Sequence, residues 1–286
     1  MIKTTFSLKM PENKETSVVF AVPHSGREYD RKFKRKSILD EKSIRTSEDA
    51  FVDMLFDTAP KYGAVFLAAK FPRAFVDLNR NVDELDPALI EGLKENTTNP
   101  RVASGLGVIP RVVSGGRAIY RGKITHDEAL RRIADYWHPY HDILHRIMAR
   151  NLSEFGQAVL VDCHSMPHEA LDAIARSGAR RPDVVIGDRF GASASEAIVC
   201  QIEEIFRAQG LRVLRNMPFA GAYITKEYGR ISSNQHAVQI EIDRSLYMNE
   251  QMIRPNGNFN AFRKMMQDVT GQIADIGRDK ARMAAE

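Results

Sequence analysis

Only two cysteines, Cys163 and Cys200, occur in 286 residues, too few for a disulfide framework. Each sits in an apolar run, Val-Leu-Val-Asp-Cys and Ala-Ile-Val-Cys, which predicts burial and fits a reducing cytoplasm. Long hydrophobic runs are missing too. No stretch approaches the ~20 apolar residues of a membrane span, and the opening Met-Ile-Lys-Thr-Thr-Phe-Ser-Leu-Lys-Met lacks the apolar centre of a signal peptide. A protein neither exported nor membrane-inserted is expected. Proline (12) and glycine (18) are not in excess, which argues against a disordered or collagen-like chain, while 43% hydrophobic and 27% charged residues suit a folded globular protein. Neither an internal repeat nor a low-complexity tract divides the sequence, so a single domain over residues 1–286 is the simplest organisation.

A basic face is also lacking. The formal charge is +4, but basic residues are interleaved with acidic ones along most of the chain, and nucleic-acid or membrane partners need clustered charge. The densest stretch, Arg31-Lys32-Phe33-Lys34-Arg35-Lys36, reads as a solvated helix or loop face, with attraction of an anionic substrate as the lesser reading. No aromatic and basic platform accompanies it, so no nucleic-acid partner is expected.

What the sequence does hold is short apolar, β-branched runs between longer helical patterns. This predicts an α/β fold with a mixed, largely parallel central sheet and helices on both faces. Strands are expected at Ser17 to Pro23, Ala64 to Phe71, Ala74 to Asn79, Ala158 to Cys163, Asp183 to Gly187, Leu211 to Leu214 and Ala237 to Asp243. Most are apolar throughout, so both faces should be buried. Thr125 and Glu128 have capping-box spacing and open a helical pattern towards Leu152, which Pro139 must kink or split. Ser193 and Glu196 repeat that spacing before Ala197 to Arg207, with Gly210 as the stop. A last helix is expected over Asn258 to Ile276. The stretch from about Asp83 to Arg121, rich in Gly, Pro, Asn and Thr, is too long for an ordinary connection and reads as a functional loop.

Two expected strands run into histidine. His24 follows Val18-Val19-Phe20-Ala21-Val22, and His164 follows Val159-Leu160-Val161-Asp162-Cys163. Ligands of open α/β sheets bind beyond strand carboxyl ends, and neutral imidazole is a favoured zinc ligand. Gly26 would turn the chain away and leave His24 accessible. Asp162 either orients a histidine ring or is aimed elsewhere along the strand. A third ligand should be an acid, and Glu48, Asp49 and Asp53 are at hand. If a helix begins near Glu48, those acids also suit its dipole, so the structural reading stays open.

Two further constellations carry charge. Ala74-Phe75-Val76-Asp77-Leu78-Asn79-Arg80 is an apolar run ending in Asn-Arg; Arg80 offers a planar fork for a carboxylate, or a salt bridge to Asp83, Glu84 or Asp86. In Ala237 to Asp243, Gln239, Glu241 and Asp243 share one face by alternation. Glu241 is either a proton acceptor beside a metal or an exposed edge acid. His138, His141 and His145 lie on a helix without the Glu of a His-Glu-x-x-His motif and read as packing or surface groups.

Taken in order, several pieces resemble the N-formylglutamate amidohydrolase family, relatives of the zinc carboxypeptidase, succinylglutamate desuccinylase and aspartoacylase group. They are Pro23-His24-Ser25-Gly26, Glu48-Asp49 with Val52-Asp53, Asp77-Leu78-Asn79-Arg80, Ile119-Tyr120-Arg121, Tyr136-Trp137-His138-Pro139-Tyr140-His141, Asp162-Cys163-His164-Ser165 and Glu241-Ile242-Asp243 with Tyr247-Met248. The resemblance implies a phosphorylase/hydrolase-like fold and one zinc ion held by His24, His164 and an acid. In the carboxypeptidase group the acid lies three residues after the first histidine, but Arg27 stands there, so the role passes to Asp49, with Glu48 in reserve. The resemblance further implies Glu241 as general base. Asn79, Arg80, Tyr120 and Arg121 would hold a small acidic substrate, N-formyl-L-glutamate, cleaved to formate and L-glutamate. Another N-acyl amino acid or a peptide is the alternative substrate, and a non-catalytic binder of acidic small molecules the remaining one.

Overall fold

The computed structural model describes residues 4–94, 99–176, 178 and 180–278. Met1 to Lys3 of the opening stretch and residues 95–98 of the expected loop lie outside them. The strands in chain order are β1 (Phe6–Lys9), β2 (Val18–Val22), β3 (Val65–Ala69), β4 (Val112–Val113), β5 (Arg117–Ala118), β6 (Ala158–Met166), β7 (Val184–Gly187), β8 (Val213–Arg215), β9 (Gln235–Asp243), β10 (Met248–Asn249) and β11 (Arg254–Pro255). Seven form one sheet in the order β1-β3-β2-β6-β9-β7-β8; β4 with β5 and β10 with β11 make two small ribbons. In the centre, β2, β6 and β9 run parallel, with Ala21 opposite Asp162 and His164 opposite Glu241. β7 pairs antiparallel to β9 and parallel to β8. The fold is a mixed α/β fold with a mostly parallel sheet.

Every residue of β2, β3, β6 and β7 is buried. Since successive side chains point to opposite faces, both faces of these strands are covered, as their uninterrupted apolar sequences demand. The chain turns back from β2 to β3 on one side, while β6 lies on the other. In open α/β sheets, ligands bind beyond the carboxyl ends of the strands where the strand order reverses.

Several expectations are corrected. Ala74 to Asn79 is not a strand but a buried loop of turns. β6 runs three residues past Cys163, so His164 sits within the ladder. The Thr125 side chain does accept from the Glu128 amide, but the Glu128 carboxylate turns to Arg132 and Lys36 and completes no capping box. Pro139 is accommodated by a π-helical stretch, Ile133–Trp137, between the helices His126–Arg132 and His138–Phe155. The wide turn absorbs the missing N–H and the clash that proline brings to a helix interior. Ser195, not Ser193, precedes the helix Glu196–Ala208; the Ser193 hydroxyl donates to the Ala237 carbonyl instead. Cys163 is buried, but Cys200 is half-buried, its sulfur against Arg215 and Glu196. Arg31–Lys36 forms a short helix with only Phe33 buried, a solvated face as read from the sequence. No described helix is long and apolar enough to cross a membrane.

The chain packs as two compact units. One comprises Met1–Ser7, Pro23–Ala50 and Ala68–Ile143, and the other Leu8–Val22, Phe51–Leu67 and Leu144–Glu286. The first has an aromatic interior in which Phe71 and Phe75 pack edge-on to Tyr136, at 4.9 and 5.0 Å between ring centroids. The second contains most of the sheet. Its long C-terminal helix, Phe259–Asp275, buries Phe262, Met266, Val269 and Ile273 along one side.

Candidate active site

Alternation along β6 puts Asp162, His164 and Met166 on one face, and along β9 it does the same for Gln239, Glu241 and Asp243. Parallel pairing then sets Asp162 beside Gln239 and His164 beside Glu241. Asp162 is not aimed away: its Oδ2 lies 2.9 Å from His164 Nε2. Glu241 Oε1 accepts from Gln239 Nε2 at 3.1 Å. Glu241 is only 9% exposed, so it is not an edge acid facing solvent. Asp243 is committed elsewhere, to His168 Nδ1 at 2.7 Å and to the Ser245 amide at 2.9 Å.

His24 stands two residues past the end of β2, in a turn closed by the Asp49 amide donating to its carbonyl and by the Ser25 hydroxyl donating to the Asp49 carbonyl. A Cβ on Gly26 would overlap the Phe71 carbonyl. The glycine is therefore needed for close backbone approach, and His24 is buried rather than accessible. Asp77 Oδ1 lies 2.7 Å from His24 Nε2, and Asp49 Oδ2 lies 3.4 Å from Nδ1. Arg73 donates to Asp77 Oδ2 at 2.8 Å and lies 3.8 Å from Asp49 Oδ1. Burial alone would push the Asp77 carboxyl up, but Arg73, His24 and Arg80 outweigh it and hold it well below the usual carboxylate range.

The structure separates the two candidate acids. The helix Val52–Phe56 begins after Phe51, whose φ is 68°, so Asp49 lies in the turn before it and a helix dipole does not account for it. Glu48 is occupied by Arg45 through Nε and Nη2 at 2.9 and 3.0 Å and by the Tyr29 hydroxyl at 2.6 Å. Burial and that carboxylate push the Tyr29 phenol far up. Among the described residues, His24, Asp49 and His164 each offer a ligand atom, and these atoms lie within 4.8 Å of one another. All three are buried. Two imidazoles and one carboxylate form a donor set that suits zinc. Asp77 and Asp162 lie at the Nε2 atoms of the two rings, and a carboxylate is the kind of partner that metal-bound histidines carry.

The loop of residues 71–81 places the other candidates. Asn79 and Arg80 are buried; the Asn79 amide donates to Asp77 Oδ1 at 2.9 Å. Arg80 donates through Nε to the Leu106 carbonyl at 2.9 Å and through Nη1 to the Asn79 carbonyl at 2.7 Å. Burial lowers its guanidinium from the usual value. Tyr120 is packed in the interior, its hydroxyl accepting from Arg132 at 2.7 Å, and burial pushes its phenol up. Arg121 is exposed. His141 is a packing group, bonded to the Leu78 carbonyl at 2.9 Å and packed at a tilt against Trp137, and His145 rests against Tyr228. Sequence reasoning does not single out Asp77 or Arg73 as site residues. Asp77 opens the Asp-Leu-Asn-Arg motif, and the arginine four residues before it is the available signal.

The sequence model of the family described as N-formylglutamate amidohydrolase matches residues 16–248. The N-formylglutamate deformylase of Pseudomonas aeruginosa is 33% identical over 221 residues, covering 75% of this chain and 76% of its own. The enzyme of the same name from Pseudomonas putida is 29% identical over 240 residues, with 82% of each chain covered. The crystal structure of N-formylglutamate amidohydrolase from Ralstonia eutropha JMP134 superposes with a TM-score of 0.87 at 32% identity, over 96% of this chain and 98% of that one. These matches put the protein among hydrolases that act on an amide bond. The chain belongs to the N-formylglutamate amidohydrolase family.

Proposed function

We propose that the protein is a cytoplasmic, zinc-dependent enzyme that hydrolyses N-formyl-L-glutamate to formate and L-glutamate. The observation that carries this reading is the buried His24, Asp49 and His164 group, with Glu241 next to His164 in the β6 and β9 ladder. The names of the relatives support the substrate. His24, Asp49 and His164 would hold the zinc ion, which when bound would supply Lewis acidity and lower the pKa of water towards neutrality. Glu241 takes the proton of the attacking water and returns it to the departing nitrogen, which leaves as the amine of glutamate. Asp77 and Asp162 orient the two rings. Asn79 and Arg80 hold the glutamate carboxylates, Arg80 with its guanidinium fixed by two carbonyls. Tyr120 supports that side, and Arg121 adds a charge that attracts the anionic substrate.

The test is a formate-release assay with zinc over N-formylglutamate, N-formylglutamine, N-formylmethionine and other N-acyl amino acids. Wild type should release formate from N-formylglutamate in preference to the rest, and Glu241→Gln should lower kcat by about 10²- to 10⁴-fold. No release by wild type refutes the substrate, preference for another substrate replaces it, and full turnover by Glu241→Gln removes Glu241 as base.

A further inference from the structure

Two neighbouring strands support their site residues in the same way. On β6, Asp162 holds His164, two residues on, through a 2.9 Å contact. On β9, Gln239 holds Glu241, also two residues on, through a 3.1 Å hydrogen bond. The register puts Asp162, Gln239 and Gly187 in one row across β6, β9 and β7, and His164, Glu241 and Val185 in the next. The first row is therefore a supporting row beneath the second. We propose that Gln239 is a positioning residue for Glu241, fixing its carboxylate for proton transfer; this rests on the hydrolytic reading above.

The surroundings explain why the support is an amide. Gln239 is 4% exposed and Glu241 9%, so neither can rely on bulk water for hydrogen bonds. Next to Gln239, a Cβ on Gly187 would come 2.7 Å from the Ala220 carbonyl carbon and 2.8 Å from the Gly221 nitrogen, so the backbone of that loop lies directly over the row. The enclosure limits the rotamers open to Gln239. A glutamine N–H makes a charge-assisted bond to the carboxylate without neutralising it as lysine or arginine would. A second acid here would repel Glu241. With Oε1 held by the amide, rotation of the carboxylate is restrained, and with it the direction of Oε2.

The test replaces Gln239 with methionine, of equal length but without a donor, in wild-type and Glu241→Gln backgrounds. In the wild-type background, kcat for N-formylglutamate should fall ~10- to 100-fold, with KM changed by less than about twofold and zinc content unchanged. In the Glu241→Gln background the same change should cost nothing further, because its only route to the chemistry is gone. Equal losses in both backgrounds, or an unchanged kcat, overturn the proposal. Gln239→Asn, which draws the carboxamide back by one methylene, repeats the test should the methionine variant not fold. A crystal structure of the variant gives a readout independent of turnover: the Glu241 carboxylate should leave its position while His24, Asp49 and His164 keep theirs. If wild type proves inactive on every N-acyl amino acid, the hydrolytic reading fails on its own, and an unmoved Glu241 in that structure overturns the positioning role separately.

Discussion

Towards the ends of β6 and β9 the sheet itself sets the positions of the candidate site residues, whereas in the loop of residues 71–81 side chains do that work. His164 and Glu241 are neighbours because the ladder pairs them, and every residue of the flanking segments has a backbone partner in register. The loop has no ladder. Its buried backbone is satisfied piecemeal: the Asn79 amide by Asp77, the Leu78 carbonyl by His141, the Arg80 carbonyl by Trp137, and the Asp77 amide by the Val108 carbonyl. A buried polar backbone group left without a partner costs about 1–3 kcal/mol. The loop's geometry therefore depends on individual side chains in a way the strand ends do not.

The largest expected effect is steric, at the point where the loop presses on the His24 turn. Gly26→Ala should destabilise the fold by about 3 kcal/mol or more, because the added Cβ would overlap the Phe71 backbone and the buried segment has no room to yield. Chemical denaturation checks it, and a loss below about 1 kcal/mol would show that the loop moves freely.

A paired substitution sharpens the contrast. Asp77→Asn and Asp162→Asn each weaken one histidine's partner and should each lower zinc affinity by roughly 10- to 100-fold. Asp77 also accepts from the Asn79 amide and from Arg73, so its variant should in addition raise KM for N-formylglutamate, while the Asp162 variant should not. Equal KM values in the two would contradict the division of labour.

The smallest effect concerns His236, inside β9, whose ring burial pushes below its ordinary value. A histidine depressed in the fold is protonated first in the unfolded chain, so the unfolded state gains protons as pH falls through about 6.5 and stability drops with it. His236→Gln should flatten the pH dependence of unfolding below about pH 6.5. An unchanged slope would show that the ring is solvated.

The same contrast governs what is legible in the sequence. Apolar β-branched runs that meet a polar residue pick out His24 and His164 as candidates, whereas Glu241 as general base comes largely from the family resemblance. Ala74 to Asn79 has similar composition and reads as a strand without being one, because burial without a ladder leaves no periodic signature. Asp49 is in view from the sequence, but not at a helix start: the helix waits until Val52. Asp162 is visible as a partner, whereas the i to i+2 support of Glu241 by Gln239 emerges only when both side chains are seen on one buried face.

The most direct measurement is zinc titration into chelator-stripped protein, comparing wild type with Asp49→Ala. Wild type should bind one zinc per chain, binding should be lost or greatly weakened in the variant, and formate release should follow occupancy. One zinc bound equally well by both proteins, or none bound by wild type, would contradict the proposed zinc site.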